Sequence, residues 1–218
     1  MTAEVRALRR GPLAGPLAAG SAQTVAVRDV PWRTLIDVRV ATAQDGSGAD
    51  TAAVESALGL RLPAAGRVSS DGERLAVWLG PGWWLLDAPE RDGAASGSGG
   101  AEADGAASGG LEAQLVYRLR AAGRPVSAVD VSAGFAVLEL TGPRAAAVLA
   151  HGCSIDLHPR VFGPGRAART VLAKAQVVLA HTDDAARGEA PTYRIWVRSS
   201  FARYLVAWLL DAATEYLA

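Results

Sequence analysis

Apolar positions along this chain fall into short runs broken by glycine, proline and small polar residues. Leu75-Ala-Val-Trp-Leu79 and Trp83-Trp-Leu-Leu-Asp87 are rich in strand-forming residues and are separated by Gly80-Pro-Gly82, which cannot continue a hydrogen-bonded ladder. They predict two paired strands around a turn. Leu111, Leu115, Val116 and Leu119 recur at helical spacing, and Gly123 with Pro125 marks a stop, so a helix of about three turns is expected there. Val126 to Val131 and Phe135 to Leu140 read as strands around Ser132-Ala-Gly134, and an alanine-rich helix follows to Ala150, with Pro143 suited to its first turn. The pattern then recurs: strands over Ala168 to Ala173, Gln176 to Ala180 and Tyr193 to Val197, then a helix through Leu217. Ser199 or Ser200 caps that last helix, with Ser200 the better placed, and Phe201, Leu205, Trp208 and Leu209 share one of its faces.

Pairs of strands thus alternate with single helices, which argues for an α+β architecture of antiparallel sheets covered on one side, built from at least two strand-strand-helix units. Arg91 to Gly110 consists of glycine, alanine, serine and a few acids, too poor in large apolar groups to offset the entropy of ordering it. It is expected to be a disordered insertion within a single domain over residues 21–218, with residues 1–20 as a flexible tail. Gln44 to Asp50, Val68 to Gly72 and Thr182 to Ala190 are expected loops.

The chain has 218 residues, half of them apolar, with 22 basic and 22 acidic side chains. Such a length can bury a core in one domain, and balanced charge lacks the positive excess that would draw it to nucleic acid. No apolar run approaches the ~20 residues of a membrane-spanning helix. Met1 to Arg10 is basic, but Gly11 to Gly20 is broken by glycine and proline where a secretory signal needs an apolar core, so a cytoplasmic location is expected. One cysteine, Cys153, excludes an intrachain disulfide and any all-cysteine cluster within the chain.

Chemistry-bearing motifs are sparse. The dense glycine run between Gly93 and Gly110 is not framed by a strand and a helix as a dinucleotide site requires, and Lys174, the single lysine, lies between Ala173 and Ala175 and not in a phosphate loop. His151-Gly-Cys153-Ser-Ile-Asp156-Leu-His158-Pro-Arg160 brings imidazole, thiol and carboxylate within ten residues. Its spacing matches no standard zinc motif, and an ordinary turn with satisfied hydrogen bonds accounts for it more simply than a metal site. A thiol nucleophile with His151 or His158 as base would need a spatial arrangement that sequence neighbours rarely supply. Among the six tryptophans, Trp83 and Trp84 are adjacent on a predicted strand, so one can fill the core while the other faces a partner protein. Arg194 and Arg198 flank Tyr193-x-x-Trp196 and can pair with a partner's carboxylates or simply solvate an edge.

Several segments taken together carry a resemblance: Trp78-Leu-Gly-Pro-Gly-Trp-Trp-Leu-Leu86, Val129-Asp-Val-Ser132, Leu138-Glu-Leu-Thr-Gly-Pro143, Gly152-Cys-Ser-Ile-Asp-Leu-His-Pro-Arg160, and Phe201-Ala-Arg-Tyr-Leu205 with Trp208-Leu-Leu-Asp-Ala212. In order and spacing, over roughly residues 20 to 215, they resemble the sarcosine oxidase gamma subunit family, the Gly152 to Arg160 run most specifically. The resemblance implies a fold like the folate-binding domain of the glycine cleavage aminomethyltransferase, made of ferredoxin-like units. It also implies a noncatalytic subunit that assembles with alpha, beta and delta subunits, the alpha subunit in direct contact. The complex would oxidise sarcosine to glycine and hydrogen peroxide and pass the one-carbon unit to tetrahydrofolate.

FAD, FMN, NAD, zinc and the tetrahydrofolate site belong, on this resemblance, to the other subunits, and no cofactor, metal or catalytic residue is assigned to this chain. The related aminomethyltransferase carries an acidic Gly-Gly-x-x-Asp-Asp stretch; the corresponding stretch here, Ala175-Gln-Val-Val-Leu-Ala-His181, has no carboxylate, although Asp183 and Asp184 follow closely. An apolar strand cannot relay a proton or hold a developing cation. Trp83, Trp84, His158 and Arg160 are the expected interface residues. The competing reading is a free-standing folate-binding protein of the aminomethyltransferase-like group.

Overall fold

The computed structural model describes residues 11–13, 15–41, 51–90, 116, 126–182 and 190–217. Eleven strands and three helices are named here in chain order: β1 (Ala18–Ser21), β2 (Val25–Asp29), β3 (Arg33–Val40), α1 (Ala52–Leu58), β4 (Val68–Ser70), β5 (Leu75–Gly80), β6 (Trp83–Pro89), β7 (Val126–Asp130), β8 (Phe135–Thr141), α2 (Ala145–Ala150), β9 (Ala167–Leu172), β10 (Ala175–Thr182), β11 (Thr192–Arg198) and α3 (Ala202–Ala212). A first sheet has the order β1-β2-β8-β11-β10-β9 and a second β4-β5-β6-β3-β7. All pairings within them are antiparallel.

Because successive residues of a strand point to opposite faces, each sheet sorts its side chains into two layers. On the first sheet, Leu138, Leu140, Leu179, Ile195 and Val197 face α2 and α3 and pack with Val148, Leu149, Leu205 and Leu209. Their neighbours Val137, Val178 and Trp196 point the other way and meet Leu35, Val77 and Leu85 of the second sheet. The outer face of the second sheet presents Ile36, Val38, Trp84 and Leu86 to Val54 and Leu58 of α1. The order of layers is therefore helix, sheet, sheet, helix, an α+β architecture with antiparallel sheets as expected.

The β5–β6 hairpin and the strands β7 to β11 follow the expected runs closely. β7 and β8 are consecutive but not partners: β7 lies at an edge of the second sheet and β8 inside the first. The crossing is fixed at Ser132, whose hydroxyl accepts Leu35 N at 2.8 Å while its own N–H donates to Asp130 Oδ1 at 2.8 Å. Val68–Ser70, expected within a loop, is strand β4, since β5 offers it a backbone ladder from Val77 to Leu75. β1 begins at Ala18, inside the expected tail, and Leu13 and Leu17 pack on the helix-side core. The helix expected around Leu111 to Leu119 lies outside the described residues apart from Val116, which is helical and touches the outer core. The expected insertion at 91–110 also lies outside them.

The last helix departs from expectation at both ends. Ser199 donates its hydroxyl to Ala133 O at 3.0 Å and so does not cap; Ser199–Phe201 forms a short 3₁₀ turn, and Phe201, not Ser200, stands at the cap position of α3. Phe201 is exposed while Leu205 and Leu209 are buried, so the shared face begins one turn later. The helix ends at Ala212 and a second 3₁₀ turn covers Thr214–Tyr216. Pro143 also precedes its helix, because Ala145 N–H closes a turn onto Gly142 O at 3.0 Å.

Gly142 sits at φ 129 where β8 turns into α2, and a Cβ there would strike the Thr24 carbonyl. That carbonyl is already held by Arg144 N–H at 3.1 Å and has little room to yield. Gly142→Ala should therefore destabilise the fold by about 2 kcal/mol or more, read as a lower midpoint in chemical denaturation.

Candidate functional site

Charged residues of five strands meet in the layer between the sheets. Glu139 on β8 stands directly opposite Arg28 of β2 and Arg194 of β11, and it pairs with both. Cross-strand neighbours on one face of a sheet lie close enough to interact, so this triad follows from register. Arg194 then reaches across to the second sheet, where its Nη1 donates to Asp87 Oδ2 at 3.3 Å. The indole Nε1 of Trp196 donates to the same oxygen at 2.9 Å, and Arg33 Nε donates to Asp87 Oδ1 at 2.5 Å. Arg33 extends the tie to the turn before β5 through Glu73 O at 2.9 Å.

Both carboxylates are fully enclosed, Asp87 at 0% and Glu139 at 1% exposure. A buried charge is tolerable only when paired and hydrogen-bonded, and Asp87 receives three donors, one from its own sheet and two from the other. Its lone pairs are occupied by guanidinium and indole groups, which leaves it poorly placed to take a proton from a substrate. Chemically, the arrangement fastens one sheet to the other.

At the opposite end of this layer, Trp83 donates its Nε1 to Asp37 Oδ2 at 2.8 Å, and the guanidiniums of Arg39 and Arg169 lie 4.4 and 4.6 Å from its ring centroid. Trp84 points to the other face, is 5% exposed, and donates to Pro63 O at 3.0 Å. His158 and Arg160 are exposed on the turn after α2, with Arg160 N–H donating to His158 Nδ1 at 3.2 Å, while Leu157 just before them packs into the helix-side core. The four expected interface residues thus occupy three layers: Trp83 between the sheets, Trp84 outside the second sheet, and the His158–Arg160 pair beyond the first.

The segment from His151 to Arg160 is an ordinary turn. Asp156 Oδ1 accepts His158 N–H at 2.9 Å, and Cys153 Sγ lies 4.0 Å from Thr170 Oγ1. A Cβ on Gly152 would come within 2.5 Å of Trp208 Cζ2, so the absence of a side chain at that position lets α3 close over the turn. Among the described residues no group of three or more His, Cys, Asp or Glu could hold a metal ion, and no helix is long and apolar enough to cross a membrane.

Ala175 to His181 forms most of β10, with Val178 and Ala180 lining the inter-sheet layer. His181 is 4% exposed, its Nδ1 lies 2.9 Å from Phe162 O, and its ring stacks on Tyr193 at 4.4 Å. Burial raises the Tyr193 phenol above its ordinary value, so that ring is neutral at physiological pH. Asp183 and Asp184 lie outside the described residues.

Sequence reading missed Asp87, Glu139, Arg28 and Arg33. The signal available was an acid on the alternating face of an apolar strand, Glu139 between Leu138 and Leu140 and Asp87 after Leu85-Leu86. Asp87→Ala should cost about 3–5 kcal/mol of stability by stranding Arg33 and Arg194, measured by urea denaturation, and an effect within ~0.5 kcal/mol would contradict the tie.

Comparison with known proteins agrees in sequence and in shape. The family model of the sarcosine oxidase gamma subunit family matches residues 42–215. A sarcosine oxidase subunit gamma from Arthrobacter sp. is 39% identical over 98% of this chain and 94% of its own length, and one from Corynebacterium sp. strain P-1 is 40% identical over the same shares. A chain in the solved heterotetrameric sarcosine oxidase of Corynebacterium sp. U-96, in complex with pyrrole 2-carboxylate, superposes with a TM-score of 0.75 at 34% identity, over 97% of both chains. Aminomethyltransferase T of the glycine cleavage system from Bartonella henselae superposes with a TM-score of 0.56 at 17% identity, over 86% of this chain and 46% of that one, a likeness of fold alone. With the match running through both sheets and through α1, α2 and α3, this chain belongs to the sarcosine oxidase gamma subunit family.

Proposed function

We propose that this chain is the gamma subunit of a heterotetrameric sarcosine oxidase and contributes to that complex as a folded partner, with the chemistry carried by other subunits. The observation that carries this reading is identity of 39–40% to curated gamma subunits along almost the whole of both chains, since a shared fold by itself would fit many functions. Two features of the chain support the noncatalytic part. The strand at the position of the aminomethyltransferase acids bears no carboxylate over Ala175 to His181. The interior acids, Asp87 and Glu139, are held by arginines.

On this reading the alpha, beta and delta subunits are the partners, the alpha subunit touching this chain directly, in a cytoplasmic complex. FAD, FMN, NAD, zinc and tetrahydrofolate are bound outside this chain. His158 and Arg160 are contact positions by their exposure, and Trp83 by its place at the edge of the inter-sheet layer; Trp84 supports the contact from within by fixing β6. Sarcosine oxidation to glycine, with peroxide and methylenetetrahydrofolate as products, is the activity of the whole assembly.

A tagged copy recovered from its native host should bring down a flavin-absorbing complex that forms peroxide from sarcosine, while the isolated chain is colourless and inactive. Recovery of the chain alone, with tetrahydrofolate bound to it, would replace this reading with that of a free-standing folate-binding protein. Within the complex, Trp83→Ala should weaken assembly by more than about 1 kcal/mol, measured as a shift in the dissociation constant.

A further inference from the structure

The two ends of the inter-sheet layer differ in charge. At one end Asp87 and Glu139 balance the arginines that reach them. At the other end, three exposed arginines, Arg39, Arg169 and Arg198, surround two half-buried aromatic rings. Arg39 and Arg169 lie over Trp83, and Arg198 lies 4.6 Å from the centroid of Phe135. Strand register brings these groups to a single rim. Arg198 follows Trp196 by two residues on β11 and stands opposite Phe135 of β8, while Arg169 stands opposite Val178, itself opposite Trp196. Val171, two residues past Arg169 on the edge strand β9, is 44% exposed on the same face. Among the described residues, the carboxylate paired with these three arginines is Asp37, which meets Arg39 at 3.1 Å.

A guanidinium stacked on an aromatic ring keeps its in-plane N–H groups free to point outward, and the stacking has already restricted its motion. Such a group binds a carboxylate in bidentate fashion with less entropy left to lose. Arginine and aromatic residues are also the types enriched at the energetic centres of protein interfaces. We infer that this rim is a docking site for an extended acidic segment of a partner subunit, with carboxylates seated on Arg169 and Arg198 and an apolar side chain against Val171. β9 and β11 are separated by β10, a lateral distance of ~10 Å, which carboxylates two to four residues apart on an extended segment can span. The inference rests on the subunit reading and deepens it by giving the partner's chemistry.

The test uses the full chain assembled with its partner subunits. Arg169→Glu and Arg198→Glu should each raise the dissociation constant at least about ten-fold while the thermal unfolding midpoint of the free chain is kept. Wild-type affinity should fall as salt rises, and that dependence should flatten in both variants. Should a reversal fail to fold, Arg169→Gln and Arg198→Gln remove the charge at similar size and give the same comparison. Arg169→Lys treated with a carbodiimide should form an amide link to an aspartate or glutamate of a partner subunit, located by peptide mass spectrometry. Folded variants that assemble with unchanged affinity and salt dependence, or a lysine that links to no partner carboxylate, overturn this inference alone. A wild-type chain that forms no complex at all overturns it together with the subunit reading.

Discussion

Asp87 is the point through which the two sheets are tied. Its carboxylate lies on β6 in the second sheet and accepts from Arg33 on β3 of that sheet and from Arg194 and Trp196 on β11 of the first. Arg194 is in turn held by Glu139, and Glu139 by Arg28, so the pairing runs from one sheet across three strands of the other. Apolar packing between two sheets is nondirectional and would tolerate sliding of one over the other. A buried carboxylate with three fixed donors does not, because a shift of even a strand register would leave charges unpaired in a buried layer. Specific alignment of the sheets is the contribution we assign to this cluster, in addition to the burial of Leu35, Val77, Val137 and Trp196 around it.

The same tie bears on function. An enclosed carboxylate can serve chemistry, but here the enclosed acids have their oxygens directed at arginines and an indole. The strand that lacks acids, β10, lies between β11 and β9 and fills the layer with Val178 and Ala180. The surface features with most definite chemistry are the arginines stacked at the open rim and the exposed His158–Arg160 turn.

Much of the chain from Leu75 onward was legible because its strands are apolar runs bounded by glycine and proline, as in Leu75 to Asp87, or end in sharp turns, as at Gly142. The early strands were not. β3 reads Arg-Thr-Leu-Ile-Asp-Val-Arg-Val, and three of the residues on its inner face are charged; a reading that places charge in water hides the strand. β4 has three residues, two of them serines, and exists because β5 supplies its hydrogen bonds. The candidate site was obscured for a related reason. Asp87 and Glu139 are each unremarkable in sequence, and the arginines that make them tolerable lie 54 to 111 residues away, a proximity set by register and not by any local motif. The turn from His151 to Arg160 shows the converse: Asp156 and His158, close in sequence, accept backbone N–H groups of their own turn, and Gly152 is there to admit Trp208.

A double-mutant cycle across the sheets tests the central tie most directly. Asp87→Asn, Arg194→Gln and the double variant would be unfolded in urea as full-length chains. If the pair fastens the sheets, the two losses should fall short of adding, with a coupling of about 2 kcal/mol. Losses that add to within ~0.5 kcal/mol would mean that the residues act independently and that apolar packing alone holds the sheets in place.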